Sequence, residues 1–170
     1  MTITVQILFA QDVLGLGSAG YGAVLSAEAL GAISGSMLAP YAIRWIGLHR
    51  CLYLSIGLWA IGYGIVATTG SGVVMAMALF AVLAAAMVWN VITVSWRQRR
   101  IPEKLLGRVN SIYRFFGWGS MPLGALAGGF IASALEDETG REIALRMPFL
   151  LASACCSGLL VYAYFRLRLH

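Results

Sequence analysis

The longest uncharged stretch of the chain spans residues 51–96 and reads CLYLSIGLWAIGYGIVATTGSGVVMAMALFAVLAAAMVWNVITVSW. Its 46 residues would rise about 69 Å as a single helix, which is roughly twice the ~30 Å hydrocarbon core of a bilayer. The segment TTGSG at 68–72 lies near its middle and is typical of a turn. We therefore predict two membrane-spanning helices here, at 52–67 and 73–95.

Three more apolar stretches lie outside this pair and predict spans at 21–42, 111–135 and 147–165. Residues 1–10 are also apolar, but their helical rise of about 14 Å is too short to cross a bilayer. We interpret them as the stub of a helix. No strand-like alternation accompanies these segments. The predicted fold class is an all-α membrane protein, with five full transmembrane helices and an N-terminal helix stub in one domain, 1–170.

The composition supports this class, because 60% of the residues are hydrophobic and only 11% are charged. A soluble domain usually has about 25% charged residues. The net charge of +5 does not indicate nucleic-acid binding, since no basic face alternates with aromatic residues. The three cysteines, Cys51, Cys155 and Cys156, show no CxxC spacing, and the chain has no nucleotide-binding loop. We expect no cofactor, no metal and no enzymatic activity.

The basic residues divide unequally between the two sides of the predicted bundle. When successive loops alternate sides, ten of the twelve basic residues fall on one side and only Arg141 and Arg146 on the other. Cytoplasmic loops of membrane proteins carry such an excess of arginine and lysine. The pattern predicts that the basic side, including the C-terminus with Arg166 and Arg168, is cytoplasmic.

The loop after the 73–95 span is the most informative motif, and begins RQRRIPEKLLGRVNSIYRFFGWGSMPLGALAGG at Arg97. It resembles the loop between the tenth and eleventh helices of major facilitator superfamily transporters, in the branch of enterobactin-exporter-like and drug-efflux proteins. The segment at 12–40, DVLGLGSAGYGAVLSAEALGAISGSMLAP, is similar to that branch's seventh loop and eighth helix. The resemblance implies that the stub is the end of helix seven and that the five spans are helices eight to twelve.

Two groups of basic-loop residues are candidates for gating the cytoplasmic side. The segment PYAIRWIGLHR at 40–50 resembles the superfamily's cytoplasmic loop motif through Arg44, Gly47 and Arg50, although Ile43 occupies the place of the expected acid. Pro102 can open a short helix in the later loop. That loop supplies the second group, Arg97, Arg99, Arg100 and Arg108. The alternative interpretation of both is that they anchor helix ends at the membrane surface.

Glu28 is the only acid inside a predicted span. An ionisable side chain within a bilayer usually faces a cavity or a partner, so Glu28 is a candidate for proton coupling or for binding a cationic substrate. The alternative is that it lies near enough to the outer interface to contact water. Asn90 and Gln6 are further candidates for polar groups that face a cavity.

Glycines at helical spacing predict close helix packing. Gly31 and Gly35 form one GxxxG pattern, and Gly124 and Gly128 form another that continues a stripe from Gly117. Pro122 lies in the same span and removes one backbone hydrogen bond, which indicates a kink. The two interpretations are static packing and a pliable helix that bends during transport.

These observations predict part of a secondary active transporter, which exports a small amphipathic molecule of the siderophore or drug class and is coupled to protons. Its expected partners are the lipid bilayer, a small-molecule substrate, and an N-terminal half of the transporter or a second copy. The expected location is the inner cell membrane. The alternatives are a small non-transporting membrane subunit and an inactive truncated fragment.

Overall fold

The computed structural model describes residues 2–166, without the side chains of residues 137, 138 and 166. Met1 of the predicted stub and Arg168 of the basic C-terminus lie outside the described residues. The described part contains one π-helical turn, Phe9–Val13, six α-helices and no strand. The six helices are α1 (Thr2–Leu8), α2 (Ser18–Ile46), α3 (Leu48–Thr68), α4 (Gly72–Arg100), α5 (Glu103–Thr139) and α6 (Arg141–Arg166).

Five of these helices, α2 to α6, are long and apolar enough to cross a membrane. The predicted class, an all-α membrane fold with five spanning helices and a short N-terminal helix, is confirmed. The helices extend beyond the predicted spans at both ends. The 29 residues of α2 rise about 43 Å, which matches the bilayer with its headgroup regions rather than the hydrocarbon core alone.

The sequence indicates a separate short helix in the loop after α4. In the structure, most of this loop is instead the first part of α5. Pro102 is the N-cap of α5, which runs without interruption from Glu103 to Thr139. Nothing between Pro102 and the predicted span stops the helix, because Gly107 is tolerated in a helix interior. Pro122 lies inside α5 and removes one backbone hydrogen bond without ending the helix.

The N-terminal helix ends three residues later than predicted, in the π-helical turn. The Leu14 N–H donates to the Phe9 carbonyl at 3.2 Å, five residues earlier, and this widened turn includes Asp12. The residues from Thr2 to Val13 rise only about 18 Å if treated as helical, so α1 does not cross a bilayer within the described residues.

The closest helix pairing in the bundle is that of α2 with α4. Helix α3 packs against both α4 and α6. Helix α5 packs against α6 and, less extensively, against α1. The largest buried side chains cluster between α1, α3, α4 and α6 and include Phe9, Val66, Met75 and Phe149. This cluster fixes α1 in the position from which Gln6 reaches α2.

Two glycines of α2 bring its backbone against α4. A Cβ placed on Gly31 would overlap the Phe80 carbonyl oxygen, and one on Gly35 would overlap the Ala84 carbonyl oxygen. Each contact advances by four residues on both helices, so α2 and α4 run parallel in register. Helices approach this closely only where small residues line the contact.

Apart from Glu28, the charged side chains of the described residues lie towards the two ends of the bundle. At one end, Arg141 binds Asp12 at 2.8 Å and Glu136 at 2.7 Å, while Arg146 binds Glu142 at 3.0 Å. Arg146 also donates to the Ala67 and Thr69 carbonyls at the end of α3. The π-helical turn after α1, the end of α3 and the connection between α5 and α6 thus contact each other at this end.

Candidate functional site

The candidate site is centred on Glu28, ten residues after the start of α2. Its side chain is half-buried, beside the face of α2 on which Val24, Gly31 and Gly35 are buried. Glu28 lies about 15 Å along the helix, whereas α2 exceeds a hydrocarbon core of ~30 Å by only about 13 Å in total. A core of that thickness centred on α2 would begin about five to six residues before Glu28, which favours a location within the apolar layer over one at its edge.

Gln6 of α1 is the hydrogen-bond partner of Glu28. The Gln6 side chain is only 6% exposed, and its amide Nε2 donates to the Glu28 carboxylate oxygen Oε1. Residues Val5 and Phe9 hold this part of α1 in the hydrophobic cluster. The sequence marks both polar residues as candidates, and the structure brings them together across 22 positions of the chain.

The surroundings of the pair are aromatic and contain no basic partner. Tyr21 and Tyr63 pack against the hydrophobic cluster that holds this part of α1. No salt bridge to Glu28 is formed by any residue in the described range 2–166. Since a charged carboxylate in an apolar layer is costly without a cation, this environment favours a group that gains and loses a proton.

The Gln6–Glu28 pair can remain bonded in both protonation states. An ionised carboxylate accepts from the amide N–H, whereas a protonated carboxyl can donate to the amide oxygen after the amide rotates by half a turn. Proton uptake would then reverse the direction of the bond without separating α1 from α2. The arrangement is therefore suited to binding one proton between two helices.

A cavity of about 560 Å³ lies between α1 and α5. Its walls combine the hydroxyls of Thr2, Thr4 and Ser120 with the apolar surfaces of Trp118 and Met121, and they include Pro122 and Gly124. Thr2 lies one helical turn before Gln6, so the cavity and the pair share α1. A mixed polar and apolar lining of this size is typical of a small-molecule site.

A second cavity, of about 530 Å³, lies between α2 and α4. Apolar and small residues form most of its lining, among them Val24, Ala27, Met77 and Phe80, and none of the lining residues is charged. This composition fits a lipid chain or the apolar part of a ligand and provides no group for acid–base chemistry.

Asn90, the third polar candidate, is separate from the pair. It is exposed on α4, ten residues beyond the level at which Phe80 meets Gly31. Because α2 and α4 run in register, Asn90 lies about 20 Å further along the bundle axis than Glu28. The structure therefore brings together two of the three polar candidates and not the third.

The candidate gating residues lie at the end of the bundle opposite the ion pairs. Gly47 separates α2 from α3 with φ +90°, a conformation that favours glycine, and its N–H donates to the Ile43 carbonyl. Arg97 lies 3.8 Å from the ring centre of Tyr113, and so connects α4 to α5. Arg100 lies over Trp96, whereas Arg44, Arg50 and Arg108 are exposed.

The glycine stripe of α5 is only partly covered. Gly128 is buried and Gly124 is half-buried, but Gly117 is exposed and a Cβ there would meet nothing within 4 Å. All residues from 111 to 123 are exposed, so this part of α5 has no neighbour around most of its circumference. A packing role for Gly117 stays a prediction.

Sequence reasoning missed two residues that organise the opposite end. Arg141 and Arg146 count as minor exceptions in the charge pattern, yet they make the ion pairs and carbonyl contacts described above. Their position beside the acidic residues of the same loop could have predicted local ion pairs. It could not show that Arg141 also binds the π-helical turn or that Arg146 also binds the end of α3, since both elements lie far away in the chain.

No protein-family model, curated protein or solved structure matches this chain. The resemblance to major facilitator transporters therefore rests on the sequence segments themselves.

Proposed function

We propose that the chain is part of a secondary active transporter that exports small amphipathic molecules, of the siderophore or drug class, in exchange for protons across the inner cell membrane. The observation that carries this proposal is the Gln6–Glu28 bond between α1 and α2 within the apolar layer. An acid that no cation neutralises and that bonds to a second helix is the arrangement expected for a proton site.

The cavity between α1 and α5 supplies the second requirement, a place for the substrate. Its hydroxyl and aromatic lining suits an amphipathic molecule, and α1 links it to the proton site. Proton binding at Glu28 reverses the hydrogen bond to Gln6 on α1, the helix whose first residues line the cavity. Transporters of this kind work by rocking two helix bundles about a central site, so a second bundle is a further expected partner.

The test measures proton-driven accumulation of ethidium, an amphipathic probe, in everted membrane vesicles that contain the complete proposed transporter. Glu28→Gln should reduce the accumulation driven by a pH gradient to background, because the amide cannot exchange a proton. Glu103→Gln is the matched control, since this acid is exposed at the first residue of α5 and far from the pair. Its accumulation should match that of the unmodified protein.

Retention of pH-driven accumulation by Glu28→Gln would contradict the coupling role. Vesicles that contain only residues 1–170 should accumulate no ethidium, because one bundle leaves the cavity between α1 and α5 open. Accumulation by this chain alone would contradict its proposed role as part of a larger transporter.

A non-transporting membrane subunit is the second candidate function, and the exposed segment of α5 favours it. Residues 111–123 carry large apolar side chains together with Gly117 and Gly119, a combination that allows close packing with another helix. A subunit of this kind would self-associate through α5 and show no proton-driven transport in any context. Wild-type activity in the ethidium assay separates the two proposals.

A further inference from the structure

Within residues 2–166, the basic end of the bundle contains no ion pair. The three ion pairs in the described part of the chain lie at the opposite end, among Asp12, Glu136, Glu142 and their arginines. The only acid at the basic end is Glu103, and it forms no ion pair within the described part of the chain. The basic residues here are Arg44, Arg50, Arg97, Arg99, Arg100, Lys104, Arg108 and Arg114. This excess of positive charge favours the binding of anions from outside the chain.

A cavity of about 380 Å³ opens at this end, where α2, α3 and α4 meet. Arg99, Ser95 and Trp96 provide its polar and aromatic edge. The other lining residues are apolar, namely Pro40, Ile43, Leu48, Val91 and Ile92. A single cation beside an apolar wall distinguishes this cavity from an ordinary patch of surface arginines, because the wall would bind hydrocarbon while the arginine binds an anion.

The start of α3 adds a second feature that favours an anion. Leu48, the first residue of α3, lines the cavity, and Gly47 before it provides no side-chain cap for the helix. The first N–H groups of a helix have no partners within it and carry partial positive charge. They therefore supplement Arg99 on the α3 side of the same cavity.

The location of the cavity identifies the source of the anion. Trp96 is half exposed in the last turns of α4, and tryptophan is enriched at the level of lipid headgroups. A phosphate at this level belongs to a phospholipid whose acyl chains extend into the apolar layer beside α2 and α4. Basic pockets between membrane helices are known to hold anionic headgroups in this way.

We propose that the cavity between α2, α3 and α4 binds one anionic phospholipid. Its phosphate lies at Arg99, Ser95 and the start of α3, and its glycerol and upper acyl carbons lie against Ile43, Val91 and Ile92. The site is separate from Glu28 and does not depend on the proposed transport activity.

The test is native mass spectrometry of the chain, released from nanodiscs that contain equal amounts of phosphatidylglycerol and phosphatidylcholine. We expect one tightly retained phosphatidylglycerol per chain. Arg99→Gln should weaken its retention about tenfold, because a charge-assisted hydrogen bond contributes free energy of that order. Arg108→Gln removes the same charge from an exposed position outside the cavity and should retain the lipid.

A third variant distinguishes binding in the cavity from attraction to the surface arginines in general. Val91→Trp leaves every arginine in place but fills the apolar wall, so it should also release the lipid while the helical content stays unchanged. Ser95→Ala, which removes only one hydroxyl, should weaken retention less than Arg99→Gln and provides a variant with little effect on folding.

Equal losses in Arg99→Gln and Arg108→Gln would overturn the proposal, as would equal retention of the two lipid classes. Competition with inorganic phosphate or glycerol 3-phosphate identifies the source of the anion. Neither should displace the lipid at millimolar concentration, since neither contacts the apolar wall. Complete displacement by inorganic phosphate would show a site for free phosphate and contradict the assignment to a phospholipid.

Discussion

Single residues determine how closely α2 approaches α4, and with it the position of Glu28. A Cβ on Gly35 would lie 2.6 Å from the Ala84 Cα, so backbone rather than a flexible side chain occupies the space. Backbone can yield only if the whole helix shifts. The close approach of α2 to α4, and the alignment of their residues, therefore requires a glycine at position 35.

We predict that Gly35→Ala lowers the free energy of unfolding by about 1–3 kcal/mol, the usual cost of overpacking a tight contact. The measurement is loss of helical circular dichroism during titration with a denaturing detergent. Gly22→Ala is the control, because a Cβ there meets nothing within 4 Å. That change should be neutral or stabilise the protein by up to ~1 kcal/mol, since alanine is the better helix former. Equal destabilisation of both variants would contradict the prediction.

At the scale of elements, Arg146 connects α6 to the end of α3. Its Nη1 donates to the Ala67 carbonyl at 2.6 Å and to the Thr69 carbonyl at 2.9 Å, while its guanidinium lies 5.3 Å from the ring centre of Phe9. The last carbonyls of a helix lack partners within that helix. One side chain thus satisfies the end of α3 and also contacts the π-helical turn after α1.

We predict that Arg146→Gln lowers the free energy of unfolding by about 1.5–3 kcal/mol, the contribution typical of hydrogen bonds to a charged group. Arg141→Gln is the matched control, since its side chain is 52% exposed compared with 18% for Arg146. Exposed ion pairs contribute little and are screened by salt, so its smaller loss should shrink as salt rises. A greater loss for Arg141→Gln would contradict this assignment.

The sequence predicts the five spanning elements but not which of their faces meet. The lengths of the uncharged stretches and the distribution of basic residues among the loops can be read directly from the order of residues in the chain. Together these two features identify α2 to α6. Contacts such as Gln6 with Glu28 depend on helix rotation. A helix that is apolar on all sides carries little periodic signal for that rotation. The continuous α5 also escaped prediction, because charged residues end an apolar run without ending a helix.

At the scale of the whole molecule, charge separates the two ends. One end neutralises its charges internally, through the ion pairs of Arg141 and Arg146. The other retains an uncompensated excess of arginine, which favours the cytoplasmic leaflet with its anionic lipids. The internally paired end can face outward at little electrostatic cost. The two ends thus favour one orientation of the bundle for two independent reasons.

We predict that Ser71 faces the exterior and Lys104 the cytoplasm. Both residues are exposed, at the α3–α4 turn and in the first turn of α5. In a background with Cys51, Cys155 and Cys156 replaced by alanine, Ser71→Cys should react with a membrane-impermeant maleimide in intact cells. Lys104→Cys should react only after the cells are permeabilised. The opposite labelling pattern would place the arginine-rich end outside the cell and contradict the predicted orientation. It would also place the Arg99 cavity in the outer leaflet, where the proposed anionic lipid is scarce.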